Sequence, residues 1–66
     1  MSTPTPAADD SKRQEAVRET YVYRDMTEGY MTSPQLSIEN LNVAIAALQK
    51  ARALMIQYGI RTLPRR

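Results

Sequence analysis

The side chains that most often perform catalysis are scarce in this chain of 66 residues. There is no histidine and no cysteine, so the usual base at neutral pH and the usual thiol nucleophile are both missing. Gly29 and Gly59 are the only glycines, which excludes a glycine-rich phosphate loop. Carboxylates such as Asp25 and Glu28 stand where solvation or helix capping accounts for them. We therefore expect no enzymatic activity, no catalytic residue, no metal site and no cofactor.

Tyrosines and basic residues are the remaining candidates for ligand binding. Residues 1–33 carry a net charge of −2 and residues 34–66 a net charge of +4, which indicates either a solvated basic end or an anion site. Tyrosine packs in cores and interfaces, but it can also stack on a base. The candidate site for a nucleotide or a nucleic-acid backbone consists of Lys50, Arg52, Arg61, Arg65, Arg66, Tyr21 and Tyr23.

One long stretch, residues 37–58, must position many of these side chains. It is rich in alanine, leucine and glutamine and contains neither glycine nor proline, which predicts a helix. Gly59 is the expected stop. The helix can begin at Ser33 and Pro34 or at Ser37, because either serine can cap free backbone amides. We favour Pro34, since the residues that follow it suit the opening turns.

This predicted helix has a wide apolar surface. At about 100° per residue its polar side chains occupy a sector of roughly 100°, whereas its apolar side chains cover roughly 200°. A helix buried on one side needs an apolar stripe of only about 100°, so a second neighbour is expected. The residues predicted to form the resulting interface are Ile38, Leu41, Ala44, Ile45, Leu48, Ala51, Leu54, Met55 and Tyr58.

The preceding segment is predicted to form a shorter helix, residues 12–28. Ser11 and Gln14 have the spacing of a capping box at its start. Strand-preferring residues at positions 20–23 leave a β-hairpin with residues 30–32 as the alternative. We prefer the helix, because an isolated two-stranded hairpin is only marginally stable.

The predicted architecture is all-α, an antiparallel helical hairpin that oligomerises into a small helical bundle. Two helices cannot enclose a large core, and a chain this small usually needs a partner. A homodimer is the simplest solution. The predicted organisation is a disordered tail at 1–10, a hairpin at 11–60 (helix 12–28, loop 29–33, helix 34–58) and a basic C-terminal tail at 61–66.

These features predict a small non-enzymatic protein-interaction module. It would associate with itself, dock on a larger protein as an inhibitor, adaptor or small subunit, or do both. The alternatives are an oligomeric binder of a nucleotide or nucleic acid and a repeated structural assembly subunit. No signal peptide is visible and no apolar run approaches the roughly 18 residues of a membrane span. We therefore expect a cytoplasmic protein without membrane contact, such as a small phage or bacterial regulator.

Overall fold

The chain folds into two helices that pack against each other. The computed structural model describes residues 6–64, with side chains described from residue 10 onward. Helix α1 is Pro6–Met31 and helix α2 is Ile38–Gln57. The described residues contain no strand, so the predicted helical hairpin is confirmed and the alternative β-hairpin does not form. Neither helix is both long enough and apolar enough to cross a membrane, as judged over the described residues.

The two helices run antiparallel. Arg13, near the start of α1, donates from its guanidinium Nη1 to the Tyr58 carbonyl at the end of α2, over 2.7 Å. Further along α1, the hydroxyl of Thr27 lies 3.5 Å from the Ala44 carbonyl. Residues later in α1 therefore contact residues earlier in α2, as antiparallel packing requires. The short connection, residues 32–37, enforces this arrangement.

Helix α1 is longer than the predicted 12–28 at both ends. It begins at Pro6, where the missing N–H of proline costs nothing in the first turn and the ring already has a helical φ. Residues 6–10, expected in a disordered tail, are thus helical, while residues 1–5 lie outside the described part. Ser11 and Gln14 lie inside the helix and do not cap its start. At the other end the helix continues to Met31, and the Thr32 hydroxyl donates to the Glu28 carbonyl at 2.7 Å.

Helix α2 begins at the second of the two predicted starts. Ser37 is extended, with φ −115° and ψ 166°, and its hydroxyl accepts a hydrogen bond from the Asn40 backbone N–H at 3.1 Å. The Asn40 side-chain amide donates to the Gln35 carbonyl at 2.9 Å, which holds the preceding residues outside the helix. The favoured start at Pro34 was therefore wrong, because Asn40 satisfies the loop and the cap together.

Gly59 ends helix α2, as predicted. Its φ is +65°, a left-handed conformation that glycine adopts without strain. The Gly59 N–H donates to the Ile56 carbonyl at 3.3 Å and the Ile60 N–H donates to the Met55 carbonyl at 2.8 Å. These two bonds form a Schellman motif. The turn places Ile60 in a buried position, which adds an apolar contact at the helix end.

Small side chains form the contact between the helices. Thr20 is buried on α1, and its hydroxyl donates to the Ala16 carbonyl at 2.7 Å, so burial leaves no polar atom unpaired. No large side chain among the described residues is fully buried. Small residues let helix backbones approach closely, but they remove little apolar surface from water. The buried residues are Ala16, Thr20, Ala44, Ala47, Ala51 and Ile60.

Candidate protein-binding surface

Helix α2 carries a row of large apolar side chains that α1 leaves uncovered. Ile38 is 75% exposed, Ile56 is 64% exposed, and Ile45 and Leu48 are each 52% exposed. An exposed aliphatic residue is ordinary when it stands alone, but a contiguous row marks an interaction surface. We call this row the outer apolar face. Its members are Ile38, Leu41, Ile45, Leu48, Met55 and Ile56, of which Leu41 and Met55 are half-buried.

The outer apolar face follows directly from the order of residues in α2. Each of two buried alanines is followed by a large exposed residue, as in Ala44–Ile45 and Ala47–Leu48. Consecutive residues project about 100° apart around a helix. The alanine row and the outer row are therefore turned away from each other by about that angle. Helix α1 covers the first row and cannot also cover the second.

An open groove of about 650 Å³ lies at the C-terminal end of this face. The Schellman turn forms one wall, because it places Gly59 and Ile60 beside the last turn of α2. Apolar side chains supply most of the remaining lining, and Arg52 and Arg61 add two cations. We call this the end groove. It is lined by Leu48, Ala51, Arg52, Met55, Ile56, Gly59, Ile60 and Arg61.

Helix α1 and the C-terminal segment border the outer face on one side. Tyr21 and Arg24 line a hollow together with Met55 and Pro64, which places this flank of α1 next to the outer face. The Tyr21 hydroxyl donates to the Pro64 carbonyl and so ties the C-terminal segment to α1. This segment belongs to the predicted basic C-terminal tail, 61–66. As far as Pro64 it lies against the hairpin, while Arg65 and Arg66 are outside the described residues.

Charged side chains continue along the same flank of α1. The Arg24 guanidinium lies 3.1 Å from a Glu28 carboxylate oxygen and 3.8 Å from an Asp25 carboxylate oxygen. These three charges sum to −1. Because all three side chains are at least one-third exposed, water screens the ion pairs and they add little stability. Glu28 follows Thr27, which lies close to Ala44, so its carboxylate stands beside the N-terminal half of α2, whereas the end groove carries Arg52 and Arg61.

The structure divides the predicted interface residues between two surfaces. Ile38, Ile45 and Leu48 are exposed on the outer face, which also includes the half-buried Leu41 and Met55. Ala44 and Ala51 are buried in the hairpin instead. Both alanines were predicted at an interface with a partner, but in the structure they are buried within the hairpin of a single chain. Leu54 and Tyr58 are half-buried at positions in step with the alanines.

Ile56 is a member of the outer face that the predicted interface omits. It stands eighteen positions after Ile38, which is about five helical turns, so both side chains project from the same side of the axis. That periodicity was visible in the sequence. Periodicity could not predict whether the alanine row or the outer row would be buried in the hairpin, because that depends on where α1 packs.

Among the described residues, the predicted anion-binding side chains do not gather at one place in a single chain. Arg52 and Arg61 share the end groove. Lys50 is turned away from them, and its ammonium lies 5.6 Å from the centre of the Tyr23 ring, within range of a cation–π contact. Lys50 and Tyr23 line a separate hollow of about 310 Å³, and Tyr21 lies on the flank beside Pro64. A site that combined all these side chains would require more than one chain.

Comparisons with known proteins add no functional assignment. No protein family, no curated protein and no solved structure matched the chain. The outer apolar face and the end groove are therefore the features from which a function must be argued.

Proposed function

We propose that this chain is a protein-interaction module whose outer apolar face docks on an α-helical surface of its partner. Such a module would serve as an inhibitor, an adaptor or a small subunit. The observation that carries the proposal is the row of Ile38, Ile45, Leu48 and Ile56, each at least half exposed along one helix. Amphipathic helices bind protein grooves through anchors with this periodic spacing.

The exposed area of the apolar row limits the free energy that binding can gain. Fully burying an aliphatic side chain contributes about 1.5–3 kcal/mol. Burying the exposed parts of these four side chains therefore offers roughly 4–7 kcal/mol. Association costs at least about 4 kcal/mol in lost freedom of motion. The row alone thus supports binding only to a complementary surface, where Leu41, Met55 and the end groove contribute as well.

Site-specific photo-crosslinking in cells that naturally produce the chain tests this proposal. A photoreactive phenylalanine analogue placed at Ile45 should yield crosslinks to protein, because the outer face is in contact with a partner. The matched control is the same analogue at Ala53, which is exposed on the polar side of α2. Mass spectrometry identifies the products. Equal crosslinking at the two positions, or none at Ile45, would contradict the proposal.

Binding of an anionic ligand in the end groove is a second candidate function. One observation favours it: Arg52 and Arg61 line the same groove, so two guanidinium groups are available to one anionic ligand. Nucleotides and short oligonucleotides should then bind, and Arg61→Glu should abolish binding. Lys50→Glu makes the same charge change away from the groove and should have little effect. Equal losses in the two variants, measured by calorimetric titration, would argue against a local site.

A further inference from the structure

We propose that the outer apolar face binds a second copy of this chain, with the two α2 helices antiparallel and Arg52 of each copy beside the partner's Glu28. This inference rests on the proposed function, since it names the occupant of the same face. Spacing along α2, the shape of the end groove and the distribution of charge each support a second copy.

The spacing of the outer face is self-complementary. Positions 38, 41, 45, 48, 52 and 55 alternate steps of three and four residues. Two helices with this spacing interlock at a shallow crossing angle, because each side chain fits a gap between side chains of the other helix. A second α2 helix presents the required spacing over the same length. In a symmetric pair centred between Ile45 and Leu48, each of these residues meets the other type on the partner.

The end groove matches the most exposed side chain of the face. In the antiparallel pair, the position opposite Met55 and Ile56 is occupied by the partner's Ile38. Ile38 is the most exposed of the large apolar side chains, at 75%, and the groove is walled mainly by apolar groups. The two-fold axis repeats this contact, so both protruding isoleucines are buried and both grooves are filled.

The charges favour the antiparallel orientation over the parallel one. Arg52 interrupts the apolar row, and a parallel pair would place it against the partner's Arg52 with water excluded between them. The antiparallel pair places Arg52 level with the partner's Leu41 instead. Thr27 lies close to Ala44, so Glu28 stands beside this part of α2, on the same flank of α1 as Tyr21 and Arg24. The Glu28 side chain is 60% exposed and can accept a second cation.

A charge-swap experiment on the purified full chain tests the proposed contact. Native mass spectrometry and sedimentation equilibrium at micromolar concentration should show two copies for the unmodified chain. Arg52→Glu should weaken dimerisation at least about tenfold, because it places two carboxylates together. Adding Glu28→Arg to the same chain should restore dimerisation. Failure of the double variant to recover, while circular dichroism shows retained helix, would overturn the assigned contact.

Cysteine crosslinking tests the orientation without disturbing a charge. The chain has no cysteine of its own, so each introduced thiol is unique. A mixture of Ile38→Cys and Ile56→Cys chains should form crosslinked dimers with a short thiol reagent, whereas Ile38→Cys alone should form few. Efficient crosslinking of Ile38→Cys to itself would indicate a parallel pair and overturn the proposal.

The mass of the chain in solution distinguishes a failure of the proposed dimer from a failure of the proposed function. A folded monomer at micromolar concentration overturns the second copy as the occupant. The interaction module itself would survive that result if the probe at Ile45 captured a different protein in cells. A larger assembly, with more than two copies, would also overturn the dimer and would favour a repeated structural subunit.

Discussion

At the scale of single residues, two glycines of the same chain have opposite roles. Gly59 has a φ of +65° and enables the Schellman turn that closes α2. Gly29 lies inside α1, where its flexibility in the unfolded chain only weakens the helix. A Cβ atom would meet no neighbouring atom within 4 Å at either position. Backbone conformation alone therefore distinguishes the two sites.

Replacing each glycine by alanine should change stability in opposite directions. Gly59→Ala should lower the free energy of unfolding by about 1–2 kcal/mol, because an L-residue is strained at positive φ. Gly29→Ala should raise it by roughly 0.5–1 kcal/mol, since alanine is the better helix former. Urea denaturation at a fixed protein concentration measures both. A loss of stability in Gly29→Ala would show that the region around Gly29 is not helical.

At the scale of elements, the start of helix α2 depends on one serine. Ser37 caps the helix through the Asn40 N–H, whereas Ser33 lies in the connection between the helices. Local sequence rules proposed both serines and favoured the start at Ser33 and Pro34, which was wrong. The choice depends on the hydrogen bond between the Asn40 side chain and the Gln35 carbonyl, which forms only when the loop is already folded.

Alanine substitution of the two serines tests the observed helix start. Ser37→Ala should lower the free energy of unfolding by about 1 kcal/mol, because it removes a cap. Ser33→Ala should change it by less than about 0.5 kcal/mol, as is usual away from caps and cores. Both values come from chemical denaturation. The reverse order would place the start of α2 at Pro34.

The contact between α1 and α2 depends on side chains that are small. Ala47 is 3% exposed, while its neighbour Ala46 is exposed on the outside of the same helix. Ala47→Leu should destabilise the hairpin by about 1–3 kcal/mol, because the larger side chain forces the helices apart. Ala46→Leu should be close to neutral. Thermal unfolding of the two variants measures the difference, and equal melting temperatures would be inconsistent with close packing at Ala47.

At the scale of the whole molecule, the hairpin is an elongated body of 57 × 20 × 16 Å with an apolar side left open. Its described buried residues are mainly alanines, while Ile38, Ile45, Leu48 and Ile56 of α2 are at least half exposed. Small chains bury a small fraction of their surface and commonly gain stability from a partner. Under the proposed function, the same exposed row would contribute both to folding and to binding.

Much of this arrangement follows from local rules. The two helices, the stop at Gly59 and the excess of apolar surface on α2 all follow from residue types and their period. The start of α1 at Pro6 does not, because the Thr and Pro residues around it also suit a disordered tail. The burial of Ala44 and Ala51 inside the hairpin depends on tertiary packing. Helix α1 packs on the row that allows the closest approach, and sequence periodicity does not distinguish that row from the outer one.

The most direct test of the outer apolar face is the solution mass of three purified chains, measured by sedimentation equilibrium. We predict two copies for the unmodified chain and one helical copy for Leu48→Asp, because a buried carboxylate without a partner prevents docking. Ala53→Asp, which adds the same charge on the exposed polar side of α2, about 140° around the helix from Leu48, should remain a dimer. A stable, folded monomer for the unmodified chain, with Leu48→Asp no different from it, would contradict the account.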